Sequence, residues 1–317
     1  MLVAHGSRDP AAVTAIRALG RAVASARPGL EVRTAYLEHS LPRPEQVLAA
    51  LAGEGRAAPV VVPLLLTAAF HGRVDLPGVL AGAGGPPVVV TDVLGPVAGV
   101  VPRQLVAALL RRLAATRPGR LDAVVLAAAG TRYATARRTV TQAARAFGRE
   151  LGLPCRVGYA SAAGPTPAEA VTVLRREGAR RVGVAAYFLA PGQLYRAAAD
   201  PARAAGAVAV AAPLGATAEL ADLVLARIDR AVSRRSGRAL SGQRKGPGED
   251  SPGPHRWPAR SERVGTDADA AVTLESAPFL FTHPAPHTGI LSALERPAEA
   301  LGGHGTALAD RLGLLDL

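Results

Sequence analysis

Short apolar runs alternate with helix-like stretches along the first hundred residues. Four of the runs predict β-strands, at residues 2–4, 32–38, 59–67 and 86–95, and the stretches between them have the Ala/Leu periodicity and glycine stops of helices. Strands and helices in this rhythm predict right-handed crossovers and a parallel sheet. The unbroken Val/Leu run of the third strand is typical of a strand that is covered on both faces.

The same pattern returns in the second hundred residues. Residues 121–138 resemble residues 2–13, and Tyr159 lies 123 positions after its counterpart Tyr36. A repeat of this length indicates duplication of a whole α/β unit rather than a solenoid. We therefore expect an α/β protein with two tandem, similar domains, each a mainly four-stranded parallel sheet flanked by helices.

The predicted domain boundaries follow from this repeat and from a change in composition. Residues 1–117 form the first domain, which carries the candidate chemistry, and residues 118–232 form a degenerate second copy. After Val232 the chain becomes rich in Ser, Gly, Pro and Arg and loses its apolar periodicity. We expect residues 233–317 to be a largely disordered linker and tail, with one or two short helices near the C-terminus.

The charge of the chain raises the question of a nucleic-acid partner. The net charge is +12, but much of the excess lies between residues 234 and 263. Aromatic residues make up only 3% of the chain, too few for base stacking, and the sequence contains no nucleic-acid-binding motif. A solvated basic tail is the better interpretation, and we expect no nucleic-acid partner.

Cysteine usage and hydropathy predict the compartment. Cys155 is the single cysteine, which excludes an intrachain disulfide and a thiolate cluster. The longest apolar run, residues 60–70, is too short for a bilayer span of about 20 residues. We expect no signal peptide before Leu2. We expect a cytoplasmic protein, monomeric or homodimeric, without a membrane partner.

Three polar residues lie at equal intervals in the first half. His5 ends the first predicted strand, Glu38 ends the second, and His71 lies just past the third, with 33 positions between successive residues. Ligands bind at the carboxyl ends of parallel strands, and neighbouring strands are about 4.8 Å apart, so the strand order 2-1-3-4 would bring all three together. Two imidazoles and a carboxylate suit Fe, Co, Ni or Zn and leave coordination positions open.

The second repeat lacks these groups. Each of the three first-half residues has an alternative interpretation when it is considered alone: a histidine at a strand end is commonly a capping or packing residue, and a loop glutamate is commonly solvated. The corresponding positions of the second repeat are small or apolar: Ala129, Ala160 or Ser161, and Leu194. This contrast predicts a site in one half and a wall facing it in the other.

Two segments resemble the signatures of a known family. LVAHGSRDP at residues 2–10 and PLLLTAAFHGRVDLP at residues 63–77 are similar to the signature segments of sirohydrochlorin chelatases, the class II cobaltochelatases and ferrochelatases. The likeness covers roughly residues 1–232. It implies two similar α/β domains with a tetrapyrrole in the cleft between them. It also implies a lyase that inserts Fe²⁺ or Co²⁺ into a siroheme or cobalamin precursor without ATP.

The resemblance assigns roles to the three polar residues. His5, Glu38 and His71 match the family's active-site residues, so we expect them to hold the metal and to act in catalysis. An imidazole titrates near neutral pH and can therefore accept a pyrrole N–H proton. The metal, Fe²⁺, Co²⁺ or Ni²⁺, is then a substrate, and no permanently bound cofactor is expected. Strand alternation would turn His39 to the opposite face, outside the predicted site.

The expected substrate, sirohydrochlorin, is a polycarboxylate. Guanidinium groups pair with carboxylates in bidentate fashion, and four arginines near the strand ends are candidates: Arg8, Arg73, Arg132 and Arg196. Gly6 and Ser7 lie in the turn into the first helix, where backbone N–H groups can contact an anion. Surface exposure of the arginines and helix capping by Ser7 or Asp9 are the alternative interpretations.

Two other classes of function use the same residues. A non-catalytic carrier of metal or tetrapyrrole would retain the site for delivery. A phosphate-ester enzyme with His5 as nucleophile would need an arginine directly before the histidine, where this chain has Ala4. The first strand has only Leu2 and Val3 before Ala4, fewer than is usual in the chelatases, so either that strand is short or the true start lies upstream.

Overall fold

A four-stranded parallel sheet forms in the first half of the chain. The computed structural model describes residues 1–67, 80 and 88–242. The first sheet has the strand order β2-β1-β3-β4, the order that the sequence analysis needs for the strand ends to meet. The elements are β1 (Leu2–Ala4), α1 (Pro10–Ala26), β2 (Thr34–Tyr36), α2 (Pro44–Gly53), β3 (Val60–Pro63), β4 (Val89–Val90) and α3 (Arg103–Ala114).

The second half repeats this arrangement. Its sheet has the order β6-β5-β7-β8, again with parallel neighbours. The elements are β5 (Ala123–Ala128), α4 (Ala134–Leu151), β6 (Cys155–Tyr159), α5 (Pro167–Arg176), β7 (Val182–Tyr187), α6 (Gln193–Ala204), β8 (Ala209–Val210) and α7 (Ala218–Gly242). All residues of β5 and β7 are buried, as expected for central strands covered by helices on both faces. The predicted fold class is confirmed.

Helix α1 starts directly after the first candidate residues. The Asp9 carboxylate caps it by accepting a hydrogen bond from the Ala11 N–H at 2.9 Å, and Pro10 occupies the first turn, where no N–H is needed. One face of the helix is buried in the core: Ile16, Leu19 and Val23. The cap and the buried face together fix the point at which the chain leaves β1.

Two arginines connect the halves through backbone carbonyls. Arg112 on α3 donates from Nε to the carbonyl of Leu214 at 2.9 Å, and Arg227 on α7 donates to the carbonyl of Gly95 at 3.0 Å. Arg227 is only 7% exposed, and this burial lowers the pKa of its guanidinium. The last helix of each half therefore contacts the other half, and one hydrophobic cluster contains residues from both.

Helix α7 extends further than the composition predicts. It continues to Gly242, ten residues beyond the boundary predicted at Val232. The segment after Val232 still contains good helix formers such as Ala, Leu and Arg, and its first proline is Pro247. The rest of the predicted tail lies outside the described residues. Within the described part of the chain, no helix is both long and apolar enough to span a bilayer.

Candidate functional site

The turn after β1 holds His5 against the segment that follows β2. Glu38 donates its backbone N–H to the carbonyl of His5 at 2.8 Å. Gly6 has a φ of 97°, and a Cβ at this position would lie 1.7 Å from the carbonyl oxygen of Glu38. Only glycine permits this approach of the two backbones. The structure therefore brings two of the three predicted residues, His5 and Glu38, together at the edge of the first sheet.

Ser7 has a structural role in the same turn. Its hydroxyl accepts from the N–H of Asp9 at 3.0 Å, its own N–H donates to the hydroxyl of Ser40 at 3.2 Å, and Ser40 donates back to the Ser7 carbonyl at 2.8 Å. These bonds join the start of α1 to the segment after β2. The Ser7 N–H has this intramolecular partner here, and its contact with a substrate anion stays a prediction.

His39 lies beside His5, which the sequence analysis did not predict. Strand β2 ends at Tyr36, and His39 sits in the following turn with a φ of 60°, so strand alternation does not apply to it. The ring centroids of His39 and His5 are 6.5 Å apart, and His39 Nε2 is 3.4 Å from Glu38 Oε2. The placement of His39 on the opposite face was wrong. Two prolines soon after it, Pro42 and Pro44, were the turn signal that could have shown this.

The second repeat has the same backbone arrangement without the polar groups. Ser161 donates its N–H to the carbonyl of Ala129 at 3.0 Å, as Glu38 does to that of His5. Ala162, the next residue, has a φ of 59°. Of the two candidates for the counterpart of Glu38, the structure selects Ser161.

A cleft of about 910 Å³ lies between the two halves. The first half contributes the imidazoles of His5 and His39 and an apolar wall, and the second half contributes Ala129 and residues 188–196. The apolar wall contains Val13, Ile16, Tyr36 and Leu64. The cleft therefore combines an apolar lining, most of it belonging to the core, with two imidazoles at the carboxyl end of the first sheet. The Glu38 side chain is 47% exposed.

The arginine candidates differ in their surroundings. Arg196, on α6, forms an ion pair at 2.9 Å with Asp9, and the two residues come from opposite sides of the cleft. The hydrogen bond from Arg196, together with that from the Ala11 N–H, holds the pKa of Asp9 below its ordinary value. Arg8 is exposed at the cleft and has no ion-pair partner among the residues that the structure describes.

The structure gives less information on the remaining predicted site residues. Arg132 is exposed in the loop after β5, where its backbone carbonyl accepts a hydrogen bond from Arg137 at 2.7 Å. His71 and Arg73 lie outside the described residues. Within residues 1–67 and 88–242, no three His, Cys, Asp or Glu side chains are grouped so that they could hold a metal ion. The three-residue metal site therefore stays a prediction.

Comparison with protein families identifies the family of this chain. The CbiX family model matches residues 1–115 and 123–231, more than half of the chain and both of its repeats. The chain belongs to the CbiX family. The family inferred from the two signature segments, the sirohydrochlorin chelatases, is thereby confirmed.

One curated relative aligns with part of this CbiX family member. It is a sirohydrochlorin cobaltochelatase of Methanosarcina acetivorans, 28% identical over 81 residues. The alignment covers 26% of the chain, and the chain spans 62% of the relative's length.

Solved structures with the same fold include two SirB proteins and a CbiX. SirB from Bacillus subtilis with Fe³⁺ is 21% identical, with a TM-score of 0.64, over 75% of this chain and 96% of its own. SirB from Bacillus subtilis subspecies spizizenii with cobalt is 19% identical, with a TM-score of 0.62 and the same coverage. A CbiX described as the terminal enzyme of siroheme biosynthesis in denitrifying bacteria is 24% identical, with a TM-score of 0.55, over 73% and 97%. At these identities the similarity shows the fold.

Proposed function

We propose that this CbiX family member inserts a divalent metal, Fe²⁺ or Co²⁺, into sirohydrochlorin or a closely related tetrapyrrole without ATP. The observation that carries the proposal is the asymmetry of the cleft between the repeats. Its first wall bears His5 beside the backbone of Glu38, and the same backbone positions of the second repeat hold Ala129 and Ser161. The names of the relatives, one a cobaltochelatase and others solved with iron or cobalt, support the same reaction class.

The protein's part in this reaction is to hold the ion and to accept protons. Nδ1 of His5 lies 3.4 Å from the carbonyl of Gly6. In the tautomer that carries its proton on Nδ1, the ring would donate to this carbonyl and leave the lone pair of Nε2 for the ion. We assign His71 as the second imidazole ligand, and one of the two histidines also takes a pyrrole proton. Glu38 completes the ligand set and relays protons.

The apolar wall and the arginines would bind the macrocycle. Val13 from the first half and Leu194 from the second line the cleft, are not buried in the core, and offer apolar contacts for the flat face of a tetrapyrrole. Arg8 at the mouth of the cleft would pair with peripheral carboxylates of the substrate, and we assign Arg73 the same role from its place in the second signature. Arg196 would exchange its Asp9 partner for a substrate carboxylate.

Replacing Arg196 with Ala is expected to raise the KM for sirohydrochlorin with little change in kcat. A carboxylate contact far from the reacting nitrogens is made equally in the ground state and the transition state, so its loss weakens binding alone. Because Arg196 is about half exposed, we expect an increase of roughly tenfold or less. Steady-state kinetics at saturating metal measures it.

The matched control for this variant is on the same helix. Arg203 is paired with Asp200 at 2.6 Å, and it is not among the residues that line the cleft. Arg203→Ala should leave KM unchanged. A fall in kcat with an unaltered KM in the Arg196 variant would contradict the assigned role.

Removal of residues 243–317 is expected to leave insertion unchanged. We propose that the two domains, residues 1–117 and 118–232, are sufficient for metal insertion. Helix α7 completes the second domain. A chain ending at Gly242 keeps α7 and its 3.6 Å ion pair between Arg234 and Asp92. Insertion rate and melting temperature are measured on both chains. A folded but inactive short chain would show that the tail takes part in the reaction.

A turnover assay separates the enzyme from a carrier. Protein is mixed anaerobically with an excess of sirohydrochlorin and Fe²⁺ or Co²⁺, and the absorbance of the metallated product is followed. The proposed chelatase forms many equivalents of product per protein molecule. A carrier that retains the same site would stop at one equivalent, and this result would contradict the proposal. Competition between the two metals in the same assay identifies the preferred one.

A further inference from the structure

The turn that contains His39 does not itself require a histidine. Ser40 donates its N–H to the carbonyl of Glu38 at 2.7 Å, and the second repeat makes the same bond at 2.8 Å. The left-handed position inside this turn is His39 in one repeat and Ala162 in the other, with φ values of 60° and 59°. Alanine therefore adopts the conformation that the turn needs. The imidazole of His39 calls for an explanation other than backbone geometry.

The His39 ring lies within reach of an ion held by the predicted ligands. Its Nε2 is 3.4 Å from Glu38 Oε2, and its centroid is 6.5 Å from that of His5. Imidazole nitrogens bind such metals at about 2.0–2.1 Å, so in tetrahedral geometry two rings on one ion have centres about 5.2 Å apart, and the two rings must approach each other by about 1.3 Å. A modest side-chain rotation of His39 would bring both rings onto one ion. With 40% of its side chain exposed, His39 has room for that rotation.

Exposure also distinguishes the two histidines. His5 is partly buried beside the core residue Ala4, whereas His39 is exposed at the same cleft. An ion that enters from solvent meets the exposed imidazole first. The neighbouring Glu38 carboxylate adds negative charge that attracts a divalent cation to this point.

We propose that His39 is an additional metal-contacting residue, which together with Glu38 captures the incoming divalent ion at the mouth of the cleft and passes it to His5. This inference rests on the proposed function, because it concerns the same ion. It adds to the three ligands assigned above a residue from the turn after β2. The second repeat, with Ala162, has no equivalent group.

Titration of the protein with Co²⁺ alone tests the inference. Calorimetry gives the affinity, and the visible absorption of bound Co²⁺ reports its ligands. We expect His39→Ala to weaken Co²⁺ binding at least as much as loss of an outer-shell partner does, roughly 10- to 100-fold, and to alter the visible spectrum. His39→Asn should have the same effect, because it also removes the imidazole. Asparagine tolerates a left-handed backbone, so the turn itself should be kept. Melting temperatures of the metal-free variants should match the wild type, since exposed ion pairs stabilise little.

The His5→Ala variant separates the two proposals. Unchanged Co²⁺ affinity and spectrum in both His39 variants would overturn the role of His39. Loss of Co²⁺ binding in His5→Ala, in that case, would leave the proposed function intact. If His5→Ala bound Co²⁺ with native affinity and spectrum, the ion would not pass to His5, and both proposals would fail. Ala162→His is the matched control, which should add no high-affinity Co²⁺ site.

Discussion

Replacement of His5 with Ala is expected to reduce metal insertion by about 10²–10⁴-fold while the protein remains folded. The variant removes the imidazole that both holds the ion and receives a pyrrole proton. The fold should tolerate the change, because Ala129 occupies the corresponding backbone position of the second repeat. Initial rates of product absorbance under anaerobic conditions measure the effect, and the melting temperature verifies the fold.

Two companion variants make this result specific. His71→Ala should cause a loss of similar size, since we assign that residue the second imidazole. Ala129→Ser, which alters the facing wall of the same cleft, should insert metal at the native rate. Native activity in both histidine variants would refute the assigned roles.

Replacement of Gly6 with Ala is expected to destabilise the protein by about 2–5 kcal/mol, the sum of a left-handed conformation and forced displacement of packed atoms. The new Cβ would lie 1.7 Å from the carbonyl oxygen of Glu38 at a φ of 97°. Either the turn after β1 or the segment after β2 must then move. That movement separates His5 from Glu38, so the folded fraction should also lose activity. Urea unfolding measures the free energy, and the insertion assay measures the rate.

Substitutions at two other glycines separate the conformational cost from the steric cost of the added Cβ. Gly29 has a φ of 83° with no atom within 4 Å of an added Cβ, so Gly29→Ala carries only the conformational cost of about 1–2 kcal/mol. Gly130 would place its Cβ 1.9 Å from the carbonyl of Ser161. Gly130→Ala should therefore lose stability as Gly6→Ala does, yet leave the arrangement of His5 and Glu38 intact. If Gly6→Ala were as stable as Gly29→Ala, the close backbone approach would be contradicted.

The fold was largely predictable because its determinants are local. The apolar runs mark the strands, and Asp9 with Pro10 marks the start of α1. The duplication could be found from matched residues alone, such as Tyr36 and Tyr159. It predicted two similar domains, and the structure shows that their sheets have the same strand order.

The features that sequence analysis missed depend on contacts between distant segments. β2 ends at Tyr36 because the backbone there turns, and the Tyr36 N–H donates to the carbonyl of Pro42 at 2.9 Å. Alternation along an assumed longer strand therefore placed His39 wrongly. The ion pair between Asp9 and Arg196 joins residues 187 positions apart, and no local pattern predicts it. Only the packing of the two halves brings these side chains together.

The location of a bound metal ion tests the central claim most directly. A crystal of the protein loaded with Co²⁺, measured at the cobalt absorption edge, locates the ion by its anomalous scattering. We predict one ion at the edge of the first sheet, about 2.0–2.2 Å from a nitrogen of His5 and a carboxylate oxygen of Glu38, with His71 as the third ligand. An ion bound elsewhere, with these side chains directed away from it, would contradict the proposed chelatase site.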